Sequence, residues 1–211
     1  MDILKSLWAD FKKQPVNTLE CWQDKRALWL VMSGAALFLI LSAMVYFQTI
    51  LAMDPCEICV YIRFSQCCIL IAGLIIAIKP TNIVFKVLGL MLAWYGVIQG
   101  MAWSLSLQEL HHTAHALKDA ISSGGDLFAA GGGGAACSTE PHFPLGLPLH
   151  EWFPYEFQPS GICGEDTWSL LGLNMADYCV IAYSVFILVL GPVTAAWVKS
   201  LLSQNTQLQP Q

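Results

Sequence analysis

Charged residues are scarce in this sequence. Only 12% of its 211 residues are Asp, Glu, Lys or Arg, whereas 56% are hydrophobic, and the mean hydropathy is +0.57. Soluble domains carry about a quarter charged residues, so this composition excludes an ordinary soluble domain. Basic patches with aromatic neighbours are also missing from the exposed segments, so nucleic acid is not an expected partner. These absences indicate a protein of the lipid bilayer.

The features of a cleavable signal peptide are missing as well. Residues 1–26 are polar and mixed in charge, the first apolar run begins only after them, and no small-residue cleavage site follows that run. A signal peptide has an early apolar core and such a site. We therefore expect segment 1–26 to remain part of the protein.

Four apolar runs are present, at about 27–50, 57–78, 83–105 and 176–198. Each is long enough to cross a hydrocarbon core of about 30 Å as a helix. Residues 106–175, between the third and fourth runs, are polar and rich in Gly and Pro, which is typical of a long loop. The sequence thus predicts an all-α membrane protein, a four-transmembrane-helix bundle at 27–198 that includes this loop.

The basic residues fall almost entirely on one side of the predicted bundle. Lys118 is the one clear basic residue of the long loop. By the positive-inside rule, the side rich in Lys and Arg is cytoplasmic. Segment 1–26 and the tail 199–211 are therefore predicted to be cytoplasmic, and loop 106–175 to lie on the opposite side. The residues behind this orientation are Lys5, Lys12, Lys13, Lys25, Arg26, Lys79, Lys86 and Lys199.

The eight cysteines divide into two groups once the orientation is set. Disulfides persist in oxidising compartments and are rare in the cytosol. Cysteines inside a helix bundle usually pack as small apolar residues, which we expect of Cys67, Cys68 and Cys179. Cys21 is expected to be a reduced cytoplasmic thiol. The cysteines on the outer side or at its boundary are Cys56, Cys59, Cys137 and Cys163.

Several arrangements are open for these four outer cysteines. They offer a single Cys-x-x-Cys pair, and Cys137 and Cys163 stand far apart, so no metal site is predicted. Two inert structural disulfides remain an alternative. Against them, glycines at 124–125 and 131–134 form a flexible tether just before Cys137. Such mobility suits a sulfur that must reach two partners.

The pair Cys56 and Cys59 begins the second apolar run. The unpaired N–H groups and the dipole at a helix N-terminus favour the thiolate form of a cysteine. Arg63 follows Cys59 by four residues, so the two share one helix face. This arginine lies on the side where the positive-inside rule does not expect it. Arg63 could simply be an anchor whose charged end snorkels to the membrane surface. An anionic species near Cys59, however, explains both why Arg63 lies on this side of the membrane and why it shares a helix face with Cys59. The pattern therefore indicates a redox dithiol at a membrane surface.

The third apolar run and the start of the loop hold further polar candidates. Gln99 and Trp103 could line a pocket beside Arg63. Residues 108–121 are predicted to form a helix in the loop, and they carry His111, His112 and His115.

Three motifs accompany the four spans. They are Pro55-Cys56-x-x-Cys59-x-Tyr61-x-Arg63, Ser160-Gly161-x-Cys163 and Trp168-x-x-Leu171-Gly172-Leu173. Together they resemble the signatures of the DsbB family, bacterial disulfide-generating proteins of the inner (cytoplasmic) membrane, over about 27–198. The glycine-rich loop and Glu57 between the cysteines make the chain more similar to the DsbI branch, whose members serve a dedicated DsbA-like partner called DsbL.

The resemblance implies a quinone-dependent thiol oxidase that reoxidises a periplasmic DsbA-like or DsbL-like protein. Cys137 would form the mixed disulfide with this partner, and Cys163 would then attack Cys56. Cys59 would emerge as the thiolate that faces a membrane quinone, ubiquinone or menaquinone, and Arg63 would stabilise both the thiolate and the reduced quinone. The catalytic residues expected are Cys56, Cys59, Cys137 and Cys163, and those expected to bind quinone are Arg63 and Cys59.

The chain departs from the family pattern at one place. A histidine that helps to hold the quinone is expected after the third span, but ungapped counting places Leu107 there, and His111 and His112 come a turn later. Glu57 adds negative charge between the cysteines and is expected to raise their pKa. Two other functions stay open: a quinone-linked reductase of the vitamin K epoxide type, whose Cys-x-x-Cys lies late in the chain, and a non-catalytic scaffold with structural disulfides.

Overall fold

The computed structural model describes residues 22–122, 141–161 and 168–207, with backbone alone at 115–122, 145 and 203–207. Four of its helices are long and apolar enough to cross a membrane. They comprise Arg26–Ile50, Glu57–Ile78, Ile83–Ala114 and Met175–Leu202. The predicted fold class, an all-α membrane protein with four spanning helices, is confirmed. The division of the chain into tails, membrane domain and loop stays a prediction.

The elements follow one another in a simple order. Helix α1 (Arg26–Leu41) continues as a π-helical segment (Ser42–Ile50), and α2 (Glu57–Ile78) and α3 (Ile83–Ser122) come next. A 3₁₀ turn (Pro144–Gly146) and two short helices, α4 (Leu149–Trp152) and α5 (Pro154–Phe157), belong to the long loop. Strands β1 (Ser169–Leu170) and β2 (Leu173–Asn174) pair antiparallel and lead into α6 (Met175–Gln207).

The third helix is longer than the sequence analysis expects. It runs on past Leu105, so the helix predicted at 108–121 is continuous with the third span. No proline or glycine interrupts residues 101–122, and nothing in the local sequence ends the helix there. The first part of the loop is thereby a direct extension of α3.

The helix ends have local causes. α2 stops at Ile78 because Lys79 precedes Pro80 and is forced out of the helical region (φ −144°, ψ 82°). Asn82 starts α3, since its side-chain oxygen accepts from the Val84 N–H at 2.9 Å. At the start of α6 the side chains of Asn174 and Asp177 each accept from the other's backbone N–H, at 2.9 and 3.0 Å.

Helix α2 is central to the bundle. It packs against α1 on one side and α3 on the other, and α3 packs against α6. Small residues allow close contact between helices in a membrane. A Cβ at Gly96 would lie 2.8 Å from the Ser65 carbonyl oxygen, and one at Gly100 would overlap the Tyr183 ring. The Tyr183 hydroxyl donates to the Ile62 carbonyl at 2.9 Å and thereby ties α6 to α2.

Candidate active site

Cys56 and Cys59 lie at the first turn of α2. Cys56 caps the helix: its backbone is extended (φ −79°, ψ 166°), and its sulfur accepts a hydrogen bond from the Cys59 N–H at 3.3 Å. This contact satisfies one of the N–H groups that a helix start leaves unpaired. Cys56 is buried and Cys59 is half-buried, and both are thiols. The two sulfurs therefore share one turn, as a redox dithiol requires.

The pKa of Cys56 is raised well above the ordinary range of a thiol. A side-chain hydrogen bond with Cys59 is the largest cause, followed by burial and by the charge of Cys59. The backbone N–H groups of Cys59 and Ile58 lower the pKa, as the sequence analysis expects at a helix start, but they are outweighed. Cys56 therefore keeps its proton near neutral pH.

Glu57 also makes a contact that the sequence does not indicate. Its carboxylate accepts a hydrogen bond from the Tyr61 hydroxyl at 2.9 Å, one turn further along α2. Glu57 therefore fixes the side chain of Tyr61, and the expected effect of its charge on the two cysteines stays a prediction.

A cavity of about 360 Å³ opens beside Cys59. Arg63 and Gln66, on the following turns of α2, line it too, so Cys59 and Arg63 do share one side of the helix. The thiol of Cys179 from α6 belongs to the same wall. The rest of the lining is mainly apolar and includes Phe38, Ala43, Phe47, Leu107, Met175 and Ala182.

Arg63 is buried, with only 5% of its surface exposed. Its Nη1 donates to the side-chain oxygen of Gln48 at 2.9 Å and to the backbone carbonyl of Glu156 at 3.1 Å. Within the described residues its Nε has no hydrogen-bond partner, and no carboxylate forms an ion pair with it. A buried guanidinium without a counter-charge is costly. The arrangement is that of a site prepared for an oxygen atom or an anion.

The π-helical segment Ser42–Ile50 supplies the partner of Arg63. Its hydrogen bonds join residues five apart, as from the Leu51 N–H to the Tyr46 carbonyl at 3.0 Å. Residues five apart consequently share a face, and Ala43 lines the cavity while Gln48 binds Arg63. The Gln48 amide nitrogen donates to the Tyr155 carbonyl at 2.9 Å. Gln48 thereby links Arg63 to the short helix α5 of the long loop.

The loop is also anchored next to Cys56. The backbone N–H groups of Ser160 and Gly161 donate to the Pro55 carbonyl at 3.0 and 3.1 Å, and the Ser160 hydroxyl donates to the Asp54 carboxylate at 3.2 Å. A Cβ at position 161 would collide with the Asp54 carbonyl, so this contact requires glycine. Cys163 comes two residues later in the sequence. Cys163 itself lies outside the described residues.

Cys137, like Cys163, lies outside the part of the chain that the structure describes. The structure therefore brings together Cys56, Cys59 and Arg63 of the predicted site, and the roles of the outer cysteines stay predictions. Cys67 and Cys68 are thiols within α2 and do not line the cavity.

The opposite side of α2 holds a second loop contact and a second cavity. The Tyr61 hydroxyl accepts from the His142 N–H at 2.9 Å, and its ring packs against Trp103 and Phe143 at centroid distances of 4.8 and 5.7 Å. Gln99 and Trp103 line a cavity of about 260 Å³ with Tyr61. The sequence suggests a place for them beside Arg63, but they do not line that cavity. They pack near Tyr61, which is two residues from Arg63 and therefore points to a different side of α2.

The helix α3 presents a leucine to the cavity beside Cys59. Leu107 is 2% exposed and belongs to the lining. His111 is buried and His112 exposed, but neither is among the lining residues. Position 107, where ungapped counting expects the family's histidine, thus does face the cavity, with an apolar side chain.

An aromatic cluster and a hairpin border the cavity at its α6 side. Trp168 packs edge-on against Phe47 at 4.9 Å and lies 5.8 Å from Tyr178. The β1–β2 hairpin turns at Leu171 and Gly172, which have positive φ angles of 55° and 80°. The third sequence motif therefore shapes the edge of the cavity.

Gln48, Gln66 and Cys179 belong to the site, although the sequence analysis does not assign them to it. Gln66 could have been found from the sequence, because a polar side chain inside a membrane span is by default a candidate for function. Gln48 stands near the end of an apolar run, and no local pattern indicates the π-helical turn that directs it to Arg63. Cys179 resembles any other small residue of a span.

Comparisons with known proteins agree on one family. The family described as "Disulfide bond formation protein DsbB" matches residues 25–193. A Shewanella oneidensis protein, provisionally named protein-disulfide oxidoreductase DsbI, is 56% identical over 204 residues, 96% of this chain and 95% of the relative. The DsbI protein of Salmonella typhimurium is 38% identical over 230 residues, 95% of this chain and 98% of that protein. The DsbI protein of Lelliottia amnigena is 43% identical over 176 residues, 83% of this chain and 75% of its own.

These matches cover the spans, the Cys-x-x-Cys and the long loop together, and the curated relatives bear the name of one activity, protein-disulfide oxidoreductase. A non-catalytic scaffold is therefore not the function of this chain, which is an enzyme that generates protein disulfides in a membrane. The chain belongs to the DsbB family, in its DsbI branch.

Proposed function

We propose that this protein oxidises a periplasmic DsbA-like dithiol protein and passes the electrons to a membrane quinone. Electrons would move from the partner to Cys137 and Cys163, then to Cys56 and Cys59, and then to quinone. The observation that carries the proposal is the cavity beside Cys59, whose wall contains the buried Arg63 with an unpaired Nε.

The cavity suits a quinone head group in size and chemistry. Its volume of about 360 Å³ lies in the range of small-ligand pockets, roughly 300–1,000 Å³. Its lining is mostly apolar, which suits a ring from the lipid phase, and Arg63 offers a donor to a ring oxygen. When bound, quinone accepts two electrons and two protons and becomes hydroquinone.

The chain's own residues would carry out a series of thiol–disulfide exchanges. A thiolate of the partner attacks the Cys137–Cys163 disulfide at Cys137, and Cys163 is released. Cys163 then attacks the Cys56–Cys59 disulfide at Cys56, and Cys59 is released as a thiolate. The partner's second thiolate attacks the partner–Cys137 disulfide, which leaves the partner oxidised and frees Cys137. Cys137 then attacks Cys163, which re-forms Cys137–Cys163 and frees Cys56. Each exchange forms one disulfide and breaks one, and together they move two electrons from the partner to Cys56 and Cys59.

The raised pKa of Cys56 is consistent with this order. In an exchange, a sulfur with a higher pKa leaves more slowly, and the pKa of Cys56 is raised by Cys59 and by burial. In the proposed path Cys56 is the sulfur attacked, and Cys59, which lines the cavity, is the one released.

The anchoring of the loop supports the step from Cys163 to Cys56. Gly161 is hydrogen-bonded to Pro55, the residue before Cys56. Two residues of chain, about 7 Å at full extension, separate Gly161 from Cys163. The anchor at Gly161 therefore lies only a short stretch of chain from Cys163, as the proposed attack on Cys56 requires.

We further propose a bacterial inner-membrane location with both termini cytoplasmic. The described basic residues support this orientation, since the starts of α1 and α3 and the ends of α2 and α6 carry Arg26, Lys86, Lys79 and Lys199. Lys86 forms an ion pair with Asp24 at 2.8 Å at this end of the bundle. Cys56 and the anchored loop belong to the opposite end.

The proposal is tested with purified protein, a reduced DsbA-like protein and a short-chain quinone, followed by quinone absorbance without oxygen. We expect loss of partner-driven quinone reduction in Cys59→Ser and in Cys137→Ser. We expect dithiothreitol to reduce the Cys56–Cys59 disulfide without Cys137, so it should still drive quinone reduction in Cys137→Ser. Partner-driven turnover that persists in Cys59→Ser would overturn the proposed electron path.

A further inference from the structure

Gln66 is a second residue of the cavity wall that carries an unpaired polar atom. The residue is 5% exposed, and its side-chain oxygen Oε1 is buried without a hydrogen-bond partner among the described residues. Of the buried side-chain atoms left unpaired in the described chain, two belong to residues of this cavity, the Nε of Arg63 and the Oε1 of Gln66. Unpaired buried polar atoms are costly, which indicates that a ligand completes them.

The two atoms have opposite chemistry and lie one turn apart. Arg63 and Gln66 are three residues apart on α2, so they share one side of the helix. A guanidinium can only donate hydrogen bonds, whereas an amide oxygen can only accept them. A ligand that forms hydrogen bonds with both atoms therefore presents an acceptor or a negative charge to the Nε of Arg63 and a donor to the Oε1 of Gln66.

The two redox forms of a quinone differ in this respect. The oxidised ring carries two carbonyl oxygens and no donor, whereas the hydroquinone carries two hydroxyl groups. With the Gln66 amide oriented as in the structure, the oxidised form can pair with Arg63 and leaves the Oε1 of Gln66 without a hydrogen bond. The hydroquinone can satisfy the Oε1 of Gln66 as well, because its hydroxyl group donates.

We propose that Gln66 makes the cavity selective for the reduced form of the quinone, by accepting a hydrogen bond from a hydroxyl group that only the hydroquinone carries. This inference rests on the proposed function and adds a residue that favours the product of electron transfer. Tighter binding of hydroquinone than of quinone raises the reduction potential of the bound ring. A tenfold preference corresponds to about 30 mV for a two-electron couple.

The test measures binding of the two forms separately. A Cys56→Ser, Cys59→Ser background prevents electron transfer, and a benzoquinone with one isoprene unit and its hydroquinone are titrated without oxygen, with tryptophan fluorescence as the readout. In this background, Gln66→Met should weaken hydroquinone binding about fivefold to tenfold, as expected for one lost hydrogen bond. Quinone binding should change less than about twofold, since no hydrogen bond to the oxidised ring is removed.

Two further variants make the result specific. Gln66→Glu keeps an acceptor at the position, so it should retain the preference for hydroquinone and weaken binding of the oxidised ring. Gln99→Met changes the same residue type in the separate cavity of Tyr61 and should alter neither affinity. A parallel potentiometric titration should show a lower potential of the bound quinone in Gln66→Met than in the parent.

The results of these titrations distinguish the role of Gln66 from the proposed quinone-linked function. Equal losses for both forms in Gln66→Met, or no loss for either, would overturn the role of Gln66 while the proposed function stands. Failure of both forms to bind the parent background would overturn the proposed function and this inference together.

Discussion

The backbone N–H of Gly161 donates a hydrogen bond to the Pro55 carbonyl at 3.1 Å. Pro55 precedes the first cysteine of the Cys-x-x-Cys, and Gly161 precedes Cys163 by two residues in the sequence. A contact across 106 positions therefore joins the segment before Cys56 to the segment before Cys163. The Asp54 carbonyl lies where a side chain at position 161 would begin. The contact between the long loop and the residues before α2 therefore requires glycine at position 161.

The first prediction concerns this contact. Gly161→Ala should slow partner-driven quinone reduction, on the order of tenfold to a hundredfold, because displacement by about 1 Å from a reactive geometry has effects of this size. Reduction driven by dithiothreitol should be unchanged, since it does not need Cys163. Gly34→Ala is the matched control, because a Cβ at Gly34 meets no atom within 4 Å. Equal slowing of both reactions in Gly161→Ala would show general damage to the fold instead.

The second prediction concerns Gln48 as a positioning residue for Arg63. Gln48→Met removes the acceptor that holds Nη1 at 2.9 Å and should weaken quinone binding about fivefold. In an Arg63→Met background, the same change should have little further effect, because the residue through which it acts is gone. Binding titrations of the parent, the two single variants and the double variant measure the coupling. Additive losses would contradict the positioning role.

The third prediction follows from the raised pKa of Cys56. Since the pKa is raised, Cys56 stays protonated and alkylates slowly at about pH 8, and its rate should rise only as the pH passes well above the ordinary thiol value of about 8.5. Cys59→Ala removes the largest cause of the shift and should speed alkylation of Cys56 at that pH. Mass spectrometry of iodoacetamide adducts over a pH series measures both rates. Fast alkylation of Cys56 in the parent at neutral pH would contradict this description.

The fourth prediction uses Cys179 as a reporter of the cavity. Its thiol lines the cavity with Cys59, whereas Cys67 and Cys68 do not. In a Cys56→Ser, Cys59→Ser background, a short-chain quinone should slow the reaction of Cys179 with a small lipophilic maleimide severalfold. Cys67 and Cys68 should react at unchanged rates in the same sample. Protection of all three thiols alike, or of none, would place the quinone elsewhere.

The four spanning helices and the shared helix face of Cys59 and Arg63 can be predicted from the sequence alone. Long apolar runs predict spanning helices directly, and four-residue spacing is enough to place Cys59 and Arg63 on one side of α2. Gln99 and Trp103 line a different cavity from the one beside Arg63, because the sequence does not say which side of α2 faces α3. In the structure Trp103 packs on Tyr61, two residues from Arg63 and therefore on another side of the helix.

The remaining features depend on contacts that local patterns do not encode. The hydrogen bond from Arg63 to the Glu156 carbonyl spans 93 positions, and the one from Gln48 to the Tyr155 carbonyl spans 107. The π-helical register at Ser42–Ile50 has no accepted sequence signature of its own, and it decides which polar side chain meets Arg63.

The most direct test of the central claim is a count of products in one anaerobic experiment. Reduced DsbA-like protein and a short-chain quinone are mixed with catalytic amounts of this enzyme, and partner disulfide and hydroquinone are quantified in the same sample. We predict one hydroquinone for each disulfide formed, and neither product with Cys59→Ser. Partner disulfide that forms without hydroquinone, or turnover that survives in Cys59→Ser, would show that the electrons do not pass through Cys59 to a quinone.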